Sequence, residues 1–149
     1  MSIERVREYF RSQGREQDIL EFPVSSATVE LAAQAVGVIP ARIAKTLSFL
    51  TKEGPILVVT AGDARIDNAR YKARFGQKAK MTGHAVGGVC PFANPQGVKT
   101  YLDVSLQRFD TVFPAAGSSN SAIELTCPEL EQYSGSLAWI DVCKGWQAE

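Results

Sequence analysis

The stretch Gly83–Phe92 is the feature that most limits how this chain can fold. It contains three glycines, the only histidine of the sequence, a cysteine and a proline, with apolar residues between them. A surface turn would be more polar. A buried strand rarely holds two adjacent glycines ahead of a proline, because glycine has no side chain to pack and proline lacks a backbone donor. The pattern therefore predicts a tight loop whose bare backbone approaches a partner closely.

A second unusual position is Lys45, a single cation inside the apolar run 43–50. Its aliphatic stem can pack at the entry of a strand while its ammonium reaches a pocket. The alternative is a lysine that extends to solvent from a strand edge. We expect Lys45 and the glycine-rich stretch 83–92 to face each other across one small pocket.

The overall composition is that of an ordinary globular protein. Of the 149 residues, 45% are hydrophobic and 21% are charged, and 16 basic residues balance 16 acidic ones, so no overall field attracts nucleic acid. The length predicts one domain, residues 1–149, and no apolar run approaches the roughly 18 residues of a membrane span. The N-terminus lacks the apolar core of a signal peptide, which predicts a cytoplasmic protein. No sequence feature indicates an oligomeric state.

One part of the sequence is locally basic. Six cations lie between Arg65 and Lys80 against the single carboxylate of Asp67. Such a cluster can contact a few phosphates, although a solvated helix face explains it nearly as well. The candidates for tRNA contacts are Arg65, Arg70, Lys72 and Arg74.

The three cysteines, Cys90, Cys127 and Cys143, are odd in number and widely spaced. They match neither a disulfide framework nor the paired spacing of a zinc site, and a single histidine adds too few ligands for a metal centre. We therefore expect reduced, buried thiols, and we predict neither a metal nor a cofactor.

Capping residues and periodicity predict interspersed helices and strands, with a hairpin near the middle of the chain. Helices are expected over residues 2–13, 28–36, 67–75 and 128–133. Strands are expected over residues 18–22, 46–50, 56–61, 78–81, 98–104, 111–115, 122–126 and 137–142. Because helices and strands do not alternate strictly, this order predicts a mixed sheet and not a doubly wound parallel one.

Three segments together resemble the YbaK family, the free-standing relatives of the editing domain in bacterial prolyl-tRNA synthetase. The first joins Thr28–Gly37 to Ile43–Leu47, the second is the glycine-rich stretch, and the third is Ala116–Leu125. In this order and spacing, the resemblance covers nearly the whole chain. It implies an α/β (α+β) domain with a mixed, partly barrel-like β-sheet surrounded by helices, and a pocket for the 3′ end of a mischarged tRNA.

The activity that the resemblance implies is hydrolysis of the ester between a wrong amino acid and tRNA, with tRNA(Pro) carrying cysteine, alanine or serine as the expected substrate. The expected partners are the 3′ acceptor end of tRNA and prolyl-tRNA synthetase. The alternative is a non-catalytic module that binds aminoacyl or nucleotide ends, or docks to a synthetase. Relatives carry a short helix between the segments that correspond to Ala79–Met81 and Thr82–His84, whereas here the two abut. Either this deletion is real, which would alter the rim of the pocket, or a mobile segment is absent from this sequence.

The family pattern assigns an essential lysine to Lys45, near the phosphate or ribose of the terminal adenosine. Because an aminoacyl ester is already activated, its hydrolysis needs positioned donors more than a strong nucleophile, and one donor to a developing oxyanion contributes roughly 3–4 kcal/mol. Gly87 and Gly88 suit this role, since no Cβ blocks their amides; a purely structural turn is the alternative. Substrate contacts are expected from Phe22, Thr46, Gly83, His84, Pro91, Gly117, Ser118, Ser119 and Asn120.

His84 and Cys90 suggest acid–base or thiol chemistry. An imidazole titrates near neutral pH, whereas a nucleophilic cysteine needs an electropositive setting. We rank His84 as a ligand contact before a base, and Cys90 as a packing residue before a nucleophile. The polar run 118–121 also favours a turn, independently of any substrate. No residue is a clear general base, so water activated by substrate groups stays an option.

Overall fold

The computed structural model of the protein describes residues 3–23, 28–82 and 89–146. Its helices are α1 (Ile3–Ser12), α2 (Val29–Val36), α3 (Asn68–Phe75) and α4 (Cys127–Ser134). Its strands are β1 (Ile19–Glu21), β2 (Ile43–Thr51), β3 (Gly54–Ala61), β4 (Arg65–Ile66), β5 (Lys99–Asp103), β6 (Thr111–Pro114), β7 (Ser121–Ile123), β8 (Leu125–Thr126), β9 (Ala138–Ile140) and β10 (Cys143–Lys144). Short 3-10 turns occur at Glu16–Asp18, Pro40–Arg42 and Val104–Arg108.

A six-stranded mixed sheet, in the order β8-β6-β2-β3-β5-β9, forms the centre of the fold. β2 and β3 pair as an antiparallel hairpin, in which Lys45 lies opposite Thr60. The pairs β2–β6, β3–β5 and β5–β9 are parallel. The sheet curls into a half-barrel, which confirms the predicted α+β fold with a partly barrel-like mixed sheet.

Capping residues set the ends of the helices, as the sequence predicts. The Thr28 hydroxyl accepts a hydrogen bond from the backbone of Leu31 at the start of α2, and Gly37 ends that helix in the left-handed conformation. Asp67 caps α3 in the same way. These side chains and the glycine satisfy backbone groups that would otherwise lack partners.

Two strand predictions are wrong. Residues 78–81 do not form a strand, and only Met81 makes an isolated bridge, to Phe49. Three of these four residues are exposed and only Ala79 packs against the core, so the segment buries too little apolar surface to hold a strand on the sheet. The predicted strand 122–126 is interrupted at Glu124, because the chain changes partner there: β7 pairs with β1, and β8 pairs with β6.

The start of β2 packs against α2 in a small apolar cluster of its own, separate from the main core. Ala33 of α2, Ile43 of β2 and Phe113 of β6 are the buried members of this cluster. The packing fixes α2 beside the first residues of β2, and therefore beside Lys45. No helix in the described part of the chain is both long and apolar enough to cross a membrane.

Candidate functional site

One edge of β2 changes its neighbour along its length. Ile43 and Ala44 pair with β6, whereas Phe49 bridges to Met81, and the Thr82 backbone N–H donates to the Ser48 carbonyl. Lys45 and Thr46 lie between these two pairings. Thr82, the last described residue before the glycine-rich stretch, thus lies at this edge of β2 beside Ser48, three residues beyond Lys45.

A pocket of about 30 Å³ lies where α2, β2 and the chain after β6 meet. Val29 and Ala32 of α2 and Phe113 of β6 supply apolar surface, and Val89 contributes from the end of the glycine-rich stretch. The polar groups come from Lys45 and Thr46 on β2 and from serines of the run 118–121. No carboxylate, imidazole or thiol occurs among the lining residues that the structure describes.

Backbone carbonyls hold the Lys45 side chain. Its Nζ donates to the Ala64 carbonyl oxygen at 2.6 Å and lies 3.5 Å from the Gly62 carbonyl oxygen. Burial lowers the pKa of the ammonium below its ordinary value, and the negative charge of Asp63 is among the influences that oppose this shift. Within the described ranges, peptide dipoles and not a carboxylate ion pair hold the cation.

Thr46 contributes a second polar group to the pocket. The residue is only 3% exposed, and its Oγ1 has no hydrogen-bond partner within residues 3–23, 28–82 and 89–146. An unsatisfied buried hydroxyl costs roughly 1–3 kcal/mol. A ligand group that bonds to Thr46 Oγ1 would recover that free energy.

The serine-rich loop at the opposite side of the pocket is bonded within itself. The Ser118 hydroxyl lies 2.8 Å from both Asn120 Oδ1 and Ser121 Oγ, and the Ser118 backbone N–H donates to Ser121 Oγ at 3.2 Å. Gly117 adopts the left-handed φ of 104° that the turn requires. Asn120 Nδ2 donates to the Phe22 carbonyl at 3.0 Å, and the Phe22 N–H donates to the Asn120 carbonyl at 2.8 Å.

The predicted site residues fall into three groups. The pocket lining contains Lys45, Thr46, Ser118 and Ser119. Gly117, Asn120 and Phe22 belong to the hydrogen-bonded surroundings of the serine loop, and Pro91 is buried two residues beyond Val89. The remaining predictions lie outside the described residues: Gly83, His84, Gly87 and Gly88.

The four predicted tRNA-contact residues lie on β4 and α3 and do not line the pocket. Arg70 forms an ion pair of 2.8 Å with an aspartate of the chain after β9. Arg74 lies over two aromatic rings, and Arg65 is exposed. Lys72 lines a surface groove of about 390 Å³ together with Lys78.

The cysteines are all thiols. Burial raises the pKa of Cys90 to about 11, and burial also raises the pKa of Cys143 above its ordinary value. The predicted buried, reduced state is confirmed for these two residues, while Cys127 is partly exposed. A thiol with a raised pKa is mostly protonated at neutral pH and is a poor nucleophile. In the described part of the chain, no cluster of three or more histidine, cysteine or carboxylate side chains could hold a metal ion.

Sequence reasoning missed Gly62 and Ala64 as the partners of Lys45. A Cβ at position 62 would lie 2.1 Å from the Pro40 carbonyl oxygen and 2.7 Å from Val29 Cγ1, so only glycine fits there. The available signal was the Gly62-Asp63 pair directly after the predicted strand 56–61, which is turn chemistry at a strand end. The apolar surface from α2 and β6 had no such local signal.

Several known proteins and solved structures are similar to this chain. A family model described as an aminoacyl-tRNA editing domain matches residues 24–133. The uncharacterized protein YwhH of Bacillus subtilis (strain 168) is 54% identical over 157 residues, which cover 99% of this chain and 100% of that protein. Proline–tRNA ligase of Thermotoga maritima is 31% identical over 69 residues, covering 46% of this chain and 12% of the ligase. The crystal structure of a proposed trans-editing enzyme for prolyl tRNA synthetase superposes with a TM-score of 0.82 at 28% identity, covering 96% of this chain and 97% of the other.

Proposed function

The chain belongs to the aminoacyl-tRNA editing domain family, which confirms the resemblance to the YbaK family, and on that premise we propose that it is a free-standing editing hydrolase. It removes a wrong amino acid from tRNA by hydrolysing the ester that joins them. One observation carries the proposal: Lys45 is a partly buried cation that is held by two backbone carbonyls and lines a pocket of about 30 Å³.

Lys45 has the geometry of a group that binds developing or existing negative charge. An ammonium has three N–H donors, and the carbonyls of Gly62 and Ala64 occupy at most two of them. The remaining donor can bond to the phosphate or ribose of the terminal adenosine, or to the ester oxyanion. Because the site is partly buried, this charge interaction is stronger than it would be in bulk water. Gly87 and Gly88, outside the described residues, remain the proposed backbone donors to the oxyanion.

Water is the proposed nucleophile. Its oxygen adds to the ester carbonyl carbon, the bond from that carbon to the ribose oxygen then breaks, and the free amino acid and the tRNA hydroxyl are released. A proton passes from the water to the leaving ribose oxygen. Since the described lining offers no carboxylate, imidazole or thiol, we assign the relay of that proton to a substrate group, such as the α-amino group or the adjacent ribose hydroxyl.

The size of the pocket favours a small amino acid. A water molecule needs roughly 10–15 Å³ of such space, so the pocket of about 30 Å³ admits about two heavy atoms, fewer than the three side-chain carbons of proline. The side chains of alanine, serine and cysteine meet this limit. The hydroxyls of Thr46 and Ser118 lie at the pocket and are proposed to contact the amino group or the ribose. The similarity to a proline–tRNA ligase and to a proposed trans-editing enzyme supports tRNA(Pro) as the carrier.

The body of the tRNA is proposed to contact the basic surface around α3. Of the four predicted residues, Lys72 has the most favourable position, because it shares its groove with Lys78, and both side chains are exposed. Arg65, Arg70 and Arg74 extend the positive surface along β4 and α3. Each lost phosphate contact should reduce the slope of log binding constant against log salt by roughly 0.7–0.9. We further propose docking to prolyl-tRNA synthetase and a cytoplasmic location, where charged tRNA is made.

The direct test is deacylation of a panel of mischarged tRNAs. tRNA(Pro) charged with alanine, serine or cysteine is incubated with the protein, and loss of the acyl group is followed against correctly charged prolyl-tRNA(Pro). We expect turnover of at least one mischarged species and little effect on prolyl-tRNA(Pro). Absence of turnover on all three, beside an active editing enzyme as positive control, contradicts the proposal.

A second candidate is a module that binds the aminoacyl end without hydrolysing it. The observation that favours it is the lack of an acid–base residue among the described lining residues. It predicts saturable binding of aminoacyl-tRNA, protection of the ester from spontaneous hydrolysis, and an effect of Lys45→Met on affinity alone. The same panel of charged tRNAs separates the two functions.

A further inference from the structure

The position of the Lys45 ammonium depends on the turn that follows β3. The two carbonyls near Nζ belong to Gly62 and Ala64, at 3.5 and 2.6 Å, and Asp63 lies between them in the chain. The Ala64 N–H donates back to the Ala61 carbonyl at 3.0 Å, which closes the turn 61–64. Any movement of this turn therefore moves the acceptors of the lysine.

Arg108, on the 3-10 turn Val104–Arg108, forms an ion pair with Asp63 of the turn 61–64. Arg108 Nη2 lies 2.5 Å from Asp63 Oδ1 and Arg108 Nη1 lies 3.0 Å from Oδ2, an arrangement in which both carboxylate oxygens accept. Two parallel bonds of this kind fix orientation as well as distance. Asp63 and Arg108 are 45 positions apart in the sequence, so the pair connects two separate parts of the fold.

The Arg108 guanidinium is itself held on several sides. Nε donates to the Ser105 carbonyl at 2.9 Å, and Nη1 also donates to the Trp146 carbonyl at 3.1 Å. The guanidinium carbon lies 4.8 Å from the ring centre of Phe109 and 5.1 Å from that of Trp146. The side chain is 27% exposed, against 36% for Asp63. An exposed ion pair alone stabilises little, but the two carbonyls and two aromatic rings around Arg108 restrict the conformation of its side chain.

A second bond from the same 3-10 turn holds the other end of the turn 61–64. The Ala61 N–H donates to Ser105 Oγ at 3.1 Å, and both residues are fully buried. The Ser105 N–H in turn donates to Asp103 Oδ2 at 2.9 Å. The 3-10 turn Val104–Arg108 therefore contacts the turn 61–64 at both ends, through a buried hydroxyl and through an ion pair.

We propose that Arg108 and Asp63 are positioning residues of the editing reaction: by fixing the turn 61–64 they set where the Lys45 ammonium stands against the substrate. This inference rests on the proposed function. Neither residue lines the pocket, so their effect passes through Lys45 and not through contact with tRNA. A displacement of about 1 Å in a catalytic group is enough to cost up to 100-fold in rate.

The test is a set of variants measured by deacylation of a mischarged tRNA that the wild type hydrolyses. Arg108→Met and Asp63→Asn should each lower kcat about tenfold while KM changes by less than about threefold. Combined, they should lower kcat no further than either alone, because both release the same turn. Arg11→Met is the matched control, since Arg11 of α1 makes a two-bond pair with Glu16, at 3.0 and 2.8 Å, and neither residue lines the pocket. It should keep the wild-type kcat.

A Lys45→Met background separates positioning from a loss of folded protein. If Arg108 acts through the lysine, Arg108→Met should not change the residual rate of Lys45→Met. An equal fold-loss in both backgrounds overturns the proposal, as does a wild-type kcat for Arg108→Met. If Arg108→Met does not fold, Arg108→Lys replaces it, because a lysine keeps the positive charge but cannot form two parallel bonds to a carboxylate or stack on the aromatic rings. An intermediate loss of kcat is then expected for Arg108→Lys, and a wild-type kcat again overturns the proposal.

A comparison of crystal structures tests the positioning role of Arg108 without any measurement of activity, so its result does not depend on the proposed function. Crystal structures of the wild type and Arg108→Met should differ at the turn 61–64, with the 2.6 Å contact from Lys45 Nζ to the Ala64 carbonyl lost in the variant. An unchanged contact overturns the positioning role. If the wild type hydrolyses no aminoacyl-tRNA, the proposed function fails, while the crystallographic comparison still decides whether Arg108 places the lysine.

Discussion

The two polar walls of the pocket are held in place by different means. The lysine wall, formed by Lys45 and Thr46, depends on the turn 61–64 and, beyond it, on a 3-10 turn more than forty positions further along the chain. The serine wall, Gly117–Ser121, is bonded within itself and to the end of β1, where Asn120 and Phe22 exchange two hydrogen bonds. A change in the distant 3-10 turn can therefore disturb the lysine wall, whereas the serine wall should respond to changes in its own residues and in the adjoining end of β1.

The largest expected effect comes from removing the cation of the lysine wall. Lys45→Met should lower kcat/KM by about 100- to 1,000-fold, the typical loss when one group that stabilises transition-state charge is deleted. Steady-state deacylation of mischarged tRNA(Pro) measures it. Lys99→Met, which removes an exposed lysine of β5, is the matched control and should change little. A Lys45→Met enzyme with more than about a third of the wild-type rate would show that the ammonium is not part of the chemistry.

The second prediction concerns the protonation of the Lys45 ammonium. Because burial lowers the pKa of Lys45, its ammonium deprotonates at a lower pH than a free lysine does. The enzymatic rate, after subtraction of spontaneous ester hydrolysis, should fall with rising pH, by up to about tenfold per pH unit above that lowered pKa. A pH–rate profile of kcat/KM measures the fall. A rate that keeps rising through the alkaline range contradicts a role for the charged form.

Gly62→Ala should disturb the lysine wall from its supporting turn. The added Cβ would lie 2.1 Å from the Pro40 carbonyl oxygen, so the turn must shift, with a loss of roughly 1–3 kcal/mol in the free energy of unfolding. Denaturant unfolding and kcat are both expected to fall. Gly14→Ala is the comparison, since Gly14 has a φ of 73° and open space around it. It should lose stability without losing kcat.

Ser118→Ala tests the serine wall. The substitution removes a hydroxyl that bonds to Asn120 and Ser121, which should cost about 1 kcal/mol in the free energy of unfolding. KM should rise a few-fold, with kcat almost unchanged, because the lysine wall is independent of these bonds. Ser134→Ala, at an exposed helix end, serves as the neutral reference. A loss of kcat comparable to that of Lys45→Met would mean that the two walls are coupled after all.

The smallest effect is expected from Cys90→Ala. The thiol is buried and its pKa is raised to about 11, so it supplies no thiolate at neutral pH. Deacylation should stay within about twofold of the wild-type rate, as measured with the same tRNA. Loss of turnover in a folded Cys90→Ala protein would instead establish thiol chemistry.

Local pattern was sufficient to predict one half of the lysine wall. A lone cation in an apolar run marked Lys45, and turn residues marked the hairpin behind it, although β2 starts three residues earlier than predicted. The supports of that wall were not predictable, because Arg108 and Asp63 are too far apart for any periodic signal. The 3-10 turn that carries Arg108 also continues directly from β5, so the run 98–104 resembled a strand to its end.

The serine wall differs from the lysine wall, because its turn is set by residues that are close in sequence. Its turn could be predicted, since Gly, Ser and Asn bond locally in ways that composition reveals. The failure at 78–81 has a different cause: alternation of charged and apolar residues suggested a strand, but in the structure only Met81 of this segment forms a bridge, to Phe49. Register against a distant partner is set by tertiary packing, which single-residue propensities do not contain.

The two pairings of β2, with β3 and with β6, also predict the order in which its contacts form during synthesis. Its contacts with β3 begin at Thr51 and Gly54, close in sequence, whereas its contact with β6 joins Ile43 to Phe113. Closing the longer loop costs more entropy, so the hairpin should form first. During synthesis, both strands of this hairpin, with Lys45 in the first, therefore leave the ribosome and can pair well before Ser118 emerges. A nascent chain that stalls before that point would present the cation without the pocket, and it could attract RNA without discriminating among its ends.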